Sequence, residues 1–153
     1  MFESLELYFK GIWQFEREII FSDSSRQYAK ANGEATFEQL TIVGNELNYR
    51  ENGKVFLENA GRGTSFFRAY KYVVTDDGLD IYFQDELTQN FNIYQSYIYQ
   101  SGSHSLIARD KHLCNKDIYE GRFLLNDASH FVHTTLIKGP HKDYFITTHF
   151  NKL

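Results

Sequence analysis

Apolar and polar positions alternate with period two along almost the whole chain, which is the pattern of strands with one buried face. From Phe9 to Phe21 one parity reads Phe9, Gly11, Trp13, Phe15, Arg17, Ile19 and Phe21. The other reads Lys10, Ile12, Gln14, Glu16, Glu18 and Ile20. The aromatic parity faces inward, and Arg17 goes with it. Similar alternation predicts strands near 33–41, 46–51, 54–59, 64–75, 78–85, 89–100, 103–110, 117–125, 131–138 and 142–151. Asn52-Gly53 and Asp77-Gly78 stand between such runs as hairpin turns, because both central positions of a tight turn must tolerate positive φ. Gly44-Asn45, Ser101-Gly102 and Asn126-Asp127 punctuate the chain in the same way. Short turns imply antiparallel neighbours, and no segment is long enough for a βαβ crossover. The expected fold is all-β, an up-and-down barrel of eight to ten antiparallel strands, preferred to a sandwich because closure leaves no exposed edge. A short helix over residues 3–8, with Phe2 and Leu5 on one side, is expected to cap one end.

Composition narrows the class. Tyr and Phe dominate the 17% aromatic content, and both suit a pleated, half-buried surface. One proline and 24% charged residues leave no linker-like stretch, so the 153 residues are expected to form one domain, 1–153. A net charge of −4 with interspersed signs offers no footprint for a phosphate backbone, which excludes nucleic acid as the expected partner. The first residues lack a basic leader region and a small-residue cleavage site, and no run approaches the roughly eighteen apolar residues of a membrane span. A lone cysteine, Cys114, cannot form an internal disulfide, which matches a reducing, cytoplasmic location.

Gly11-Ile12-Trp13 opens the first long strand after a short helix and is similar to the G-x-W signature of lipocalins and related calycin barrels. Three further segments extend the likeness: Arg68-Ala69-Tyr70, HLCNKDIYEGRF (112–123) and KGPHKDYFITTHF (138–150). Over nearly its whole length the chain resembles an uncharacterised bacterial family of lipocalin-like domains. That resemblance implies a calycin-type barrel with recurring residues at Trp13, Arg17, Arg68, Tyr70, His112, Cys114, Asp117, Tyr119 and Gly121 and along 138–144, and no established activity or ligand. His141 stands where the pattern favours Arg, and Asn151-Lys152 replaces a terminal Arg. A cation stacked on Trp13, as in lipocalins, would have to come from Arg17 or Lys152.

Asp117, Tyr119, Gly121 and Phe123 share one strand face, with carboxylate and phenol about 7 Å apart. Turned inward, the carboxylate needs a partner, because an unpaired buried charge is too costly to persist. Arg17 and Arg68 are the available counterions, either as a structural clamp or as an anchor for an acidic ligand group. His112 and Cys114 project the same way, as metal ligands or a thiolate–imidazole pair require, but no recognised spacing completes a zinc site or a triad. The plainer expectation is a small buried thiol beside a hydrogen-bonded His. A histidine in a barrel can also ligate haem, yet no attachment pattern is present, so neither metal nor cofactor is expected. Gly139-Pro140, with Lys138, His141 and Lys142, reads as a hairpin turn or as a mouth attractive to anions. The run 90–100 places Phe91, Ile93, Gln95, Tyr97 and Tyr99 on one face and Tyr94, Ser96 and Ile98 on the other, suiting a wet cavity or a homodimer interface equally.

These features predict non-covalent binding of a small, largely apolar or amphipathic ligand inside the barrel. An acidic head group would be held by Arg17, Arg68, Tyr70 and Tyr119, with His112 and Asp117 in the same interior. Gly11, Trp13, Gly121, Gly139 and Pro140 are expected to shape the barrel, and no catalytic residue is assigned. Two alternatives stand beside this reading. One is a small-substrate enzyme with Asp117 or His112 as base and Tyr119 as acid. The other is a filled barrel that recognises a partner protein through its Tyr-rich strand.

Overall fold

The computed structural model describes residues 4–40 and 44–153, and in them the alternation becomes strand almost throughout. A helix, α1 (Leu5–Phe9), leads into β1 (Gly11–Phe21), β2 (Gln27–Gln39), β3 (Glu46–Leu57), β4 (Thr64–Val74), β5 (Gly78–Gln84) and β6 (Phe91–Gln100). Then follow β7 (Ser105–Ala108), β8 (His112–Cys114), β9 (Asp117–Asp127), β10 (His130–Lys138) and β11 (Asp143–Lys152). Each strand pairs antiparallel with its neighbour, and β11 returns to β1 to close the ring. β7 and β8 lie end to end along β9 and share one position. The barrel is therefore closed, with ten strand positions.

The hairpin turn between β4 and β5 falls on Asp76-Asp77, one residue before the expected Asp77-Gly78: the Thr75 N–H donates to the Gly78 carbonyl (3.0 Å), and Gly78 already belongs to β5, where a Cβ would stand 1.9 Å from the Tyr97 carbonyl oxygen. Asn52-Gly53 is not a turn: the two strands expected at 46–51 and 54–59 are the single strand β3, and its partner β2 starts at Gln27 rather than near 33. Gly53 lies opposite Gly33, and a Cβ on Gly33 would stand 2.0 Å from the Asn52 carbonyl oxygen. The glycine pair lets two long strands approach and bend where any side chain would collide, so a strand kink here carries the same dipeptide as a turn. The turn that sequence reading misses is Asn115-Lys116, with φ of 50° and 70°, which joins β8 to β9 as a two-residue hairpin. A lysine at its second position hides it.

One end of the barrel is filled. Ser4 caps α1 by accepting the Leu7 N–H (3.2 Å), and the helix lays Tyr8 and Phe9 across the opening. The helix begins later than expected, and Phe2 falls outside the described residues. Phe9 stacks on Phe37 (5.2 Å) and meets Phe131 edge-on (5.2 Å). Fully buried Trp13 donates its indole N–H to the Phe9 carbonyl (2.7 Å), while Lys152 Nζ stands 5.0 Å from its ring centre. Lys152 thus supplies the cation over Trp13, and Arg17 is used elsewhere. Gly11, at φ 130°, makes the corner between α1 and β1 in a region that residues with a Cβ rarely adopt.

From this floor the inward rows climb toward the open end. They read Phe15, Arg17, Ile19 on β1; Phe150, Thr148, Ile146 on β11; Phe131, His133, Thr135, Ile137 on β10; and Leu47, Tyr49, Glu51 on β3. Period-two alternation therefore stacks an aromatic layer, a polar belt and an isoleucine ring in that order.

Candidate functional site

Above the floor lies a cavity of about 520 Å³. Its base is the polar belt, its walls include Ile19, Ile81, Phe83, Ile137 and Ile146, and tyrosines 28, 70, 94, 119 and 144 gather at its mouth. Ring centres are 6.0 Å apart for Tyr70–Tyr94, 6.1 Å for Tyr94–Tyr119 and 5.0 Å for Tyr28–Tyr144. Two of these rings reach the interior through bulges. The β1–β2 register skips Tyr28, with Ile19 opposite Ala29 and Ile20 opposite Gln27. The β5–β6 register skips Tyr94, with Ile81 opposite Gln95 and Tyr82 opposite Ile93. A bulge leaves one residue unpaired and re-aims its side chain, so Tyr94 enters the cavity although strict parity puts it on the opposite face from Tyr97. The expectation of a filled barrel does not describe this interior.

The base is built on a buried ion pair. Arg17 donates from Nη1 and Nη2 to the two oxygens of Glu51 (2.9 and 2.8 Å) and from Nε to Thr148 Oγ1 (2.8 Å). Its guanidinium lies 4.9 Å from the Phe15 ring centre, and Tyr49 donates its hydroxyl to Glu51 Oε2 (2.5 Å). Burial by itself would raise the Glu51 carboxyl, but the Arg17 fork and the Tyr49 hydrogen bond outweigh it and leave the pKa lowered. The same fork, against burial, holds Arg17 more firmly protonated. Arg68, opposite Glu51 in register, brings Nε to only 3.8 Å of the carboxylate and keeps 51% of its side chain exposed. Sequence reading turns Arg17 inward, as found, but offers Asp117 as its partner and misses Glu51. The inner row Leu47, Tyr49, Glu51 carries the signal, which the supposed turn at Asn52-Gly53 obscures.

His133 belongs to the same belt. It stacks on Phe123 (4.2 Å between centres), with Nε2 3.4 Å from the Tyr97 hydroxyl. Burial and the positive field of Arg17 push its pKa down from 6.5 to about 3, so the imidazole is neutral at pH 7. The unfolded chain takes up this proton near pH 6.5, whereas the folded chain resists until about 3. Its contribution is therefore complete above the unfolded pKa and is lost as pH falls toward the folded one. Between pH 7 and pH 5 this residue should lower unfolding free energy by about 2 kcal/mol, read by urea denaturation at each pH. His133→Phe should flatten that dependence, and an unchanged slope would place its origin elsewhere.

Asp117 is buried outside the cavity. Its Oδ1 accepts the backbone N–H groups of His141 (3.0 Å) and Lys142 (3.2 Å), and a Cβ on Gly139 would come within 2.3 Å of it. The carboxylate ties the β10–β11 turn, Pro140 included, to the start of β9, while the Arg17 guanidinium binds Glu51 deeper in the barrel. The expected Asp117–Arg fork is thus replaced by a turn clamp. With Oδ1 spent on two amides and the side chain off the cavity wall, Asp117 is not placed to take a proton from a molecule inside. The clamp positions Lys142, whose Nζ donates to the Tyr119 hydroxyl (2.9 Å) at the mouth. Asp117→Ala should cost about 1–3 kcal/mol and speed amide exchange at 141 and 142; protection equal to wild type there would refute the clamp.

The other residues singled out by sequence lie around the mouth or in the wall. His112 stands 5.0 Å from the Tyr94 ring and 5.9 Å from Tyr119, and burial lowers its pKa. Cys114 is exposed rather than buried, because it precedes the β8–β9 turn. Among the described residues, no three His, Cys, Asp or Glu side chains converge as a metal cluster. Gln95, which sequence reading does not single out, bridges β6 and β9, two strands that no backbone ladder joins directly. It donates to the carbonyls of Asp110 and Tyr119 (both 3.0 Å) and accepts the Gly121 N–H (2.8 Å). A Cβ on Gly121 would stand 2.2 Å from the Tyr97 hydroxyl, so this crossing needs glycine.

The family model described as "Family of unknown function (DUF6314)" matches residues 9–152. The chain belongs to DUF6314. No curated protein matches it. The DUF6314 barrel is similar in fold to the S-type phycobiliprotein lyase CPES from Guillardia theta, with a TM-score of 0.65 at 9% identity over 100% of this chain and 98% of that one. The redesigned β-barrel mFAP1, bound to DFHBI, aligns with a TM-score of 0.46 at 14% identity over 96% and 97% of the two chains. Among the described residues of this DUF6314 chain, no helix is long and apolar enough to cross a membrane.

Proposed function

We propose that this barrel binds one small, largely apolar molecule non-covalently. The observation that carries the reading is the uneven filling of the interior: aromatic packing ends at the level of Phe15, Phe131 and Phe150, and about 520 Å³ is left above it. Sites for drug-sized ligands are typically cavities of about 300–1,000 Å³ with apolar walls and a few placed polar groups. Here the isoleucine ring provides the apolar wall, and Thr148, His133 and Tyr49 provide hydrogen-bonding groups that fix orientation. The Arg17–Glu51 pair neutralises itself, so the base can accept an uncharged part of a ligand without leaving a charge unmatched. The similarity in fold to a phycobiliprotein lyase fits a barrel that encloses a small molecule and says nothing of its identity.

The test is direct. Organic extracts of the purified protein, analysed by mass spectrometry, should contain a stoichiometric small molecule, or a panel of fatty acids, retinoids and haem should raise the melting temperature. Ile146→Trp, which fills the cavity from its wall, should abolish either effect while keeping the β-sheet circular dichroism spectrum. If no molecule co-purifies and none of the panel shifts melting, the cavity is not a binding site.

A further inference from the structure

The charges around the cavity are not balanced, and their depths differ. Three cations line it, Arg17, Arg68 and Lys142, against one carboxylate among the described lining residues, Glu51. His133 is neutral, and burial lowers His112 as well. Glu51 is committed to Arg17 by two hydrogen bonds at 2.9 and 2.8 Å, whereas Arg68 stays 3.8 Å away, beyond hydrogen-bonding distance. Lys142 has no carboxylate within ion-pairing distance among the described residues. The Asp117 carboxylate acts on it only through space, with Oδ1 turned onto backbone amides, and Asp143 bonds the Ser22 hydroxyl instead. The positive charge without a hydrogen-bonded carboxylate therefore lies at the mouth, in a chain whose net charge is −4. Arg68 acts electrostatically on the Tyr94 phenol, and Lys142 bonds the Tyr119 phenol, so the two cations flank a ring pair 6.1 Å apart.

Resting on the proposed binding role, we infer that the ligand is an amphipathic anion, a carboxylate or similar acid, held with its charge at the mouth by Arg68 and Lys142 and its apolar body against the isoleucine ring. Arg17 is not its counterion, because its three bonded N–H groups are spent on Glu51 and Thr148. A clustered positive mouth on an acidic protein also draws an anionic ligand from solution and disfavours a cationic one.

Decanoate, 1-decanol and decylammonium share one apolar body and differ in charge, so calorimetric titration of all three separates the head group from the cavity. Decanoate should bind about tenfold tighter than decanol at low salt, with the advantage shrinking as salt rises, and decylammonium should bind weakest. Arg68→Gln and Lys142→Gln should each weaken decanoate about three- to tenfold and leave decanol unchanged. Decanol binding as tightly as decanoate, or both variants weakening the two probes alike, would overturn the anion inference while upholding the cavity as a binding site. Absence of binding by all three would overturn the anion inference, and the extraction and melting tests above would then decide the cavity itself.

Discussion

Glu51→Ala should destabilise the protein by about 3–5 kcal/mol, read as a fall in the urea midpoint at pH 7. The substitution removes both acceptors of the Arg17 fork and strands a guanidinium whose side chain is only 9% exposed. It also leaves the Tyr49 hydroxyl without its acceptor in a site where burial already keeps the phenol from ionising. The cost is that of an orphaned charge rather than the net value of the pair, and a second variant tells these apart. Arg17→Met combined with Glu51→Leu replaces both charges by apolar side chains and should cost far less than Glu51→Ala alone, since buried ion pairs exchanged for well-packed apolar groups are often neutral or stabilising. A double variant as damaged as the single one would show that the pair supplies fold stability in its own right. A loss below about 1 kcal/mol for Glu51→Ala would mean that water reaches Arg17 from the cavity and replaces the carboxylate.

That pair also marks the boundary between what the sequence discloses and what it conceals. The barrel is legible because period-two alternation is a local property, and the same alternation turns Arg17 inward beside Phe15. The identity of its partner is a long-range fact set by how β3 crosses the barrel, and a glycine kink at Gly53 resembles a turn closely enough to cut β3 at Glu51. Tyr28 and Tyr94 escape for a different reason: each sits on the outward parity of its strand, and a one-residue bulge that leaves no mark in composition brings it into the cavity. Asp117 is read as buried, and it is, but a buried carboxylate is satisfied as well by backbone amides as by arginine, and only the fold of the 138–142 turn decides between them.

The aromatic floor should answer to mutation quite differently from the mouth, and Phe131→Ala is its sharpest probe. Phe131 is fully buried and is the ring on which five elements converge, α1, β1, β2, β9 and β11. It stacks on Phe150 (4.3 Å, 11° between planes), meets Trp13 edge-on (4.8 Å) and Phe9 edge-on (5.2 Å), and lies 6.0 Å from Phe123. Removing it takes away a large buried side chain and leaves a void that rings from α1, β1, β9 and β11 cannot fill together without leaving their rotamers, so the expected cost is about 3–5 kcal/mol. Phe67→Ala serves as the control: this ring, 59% exposed on β4, should change stability by no more than about 0.5 kcal/mol. The two substitutions separate stability from binding as well, because Phe131 lies below the polar belt and does not line the cavity. Phe131→Ala should therefore lower the urea midpoint strongly, while affinity for a cavity ligand, measured well below that midpoint, falls little. A loss of affinity as large as the loss of stability would show that the belt of Arg17, Glu51 and His133 is held in place by the floor beneath it rather than by its own hydrogen bonds.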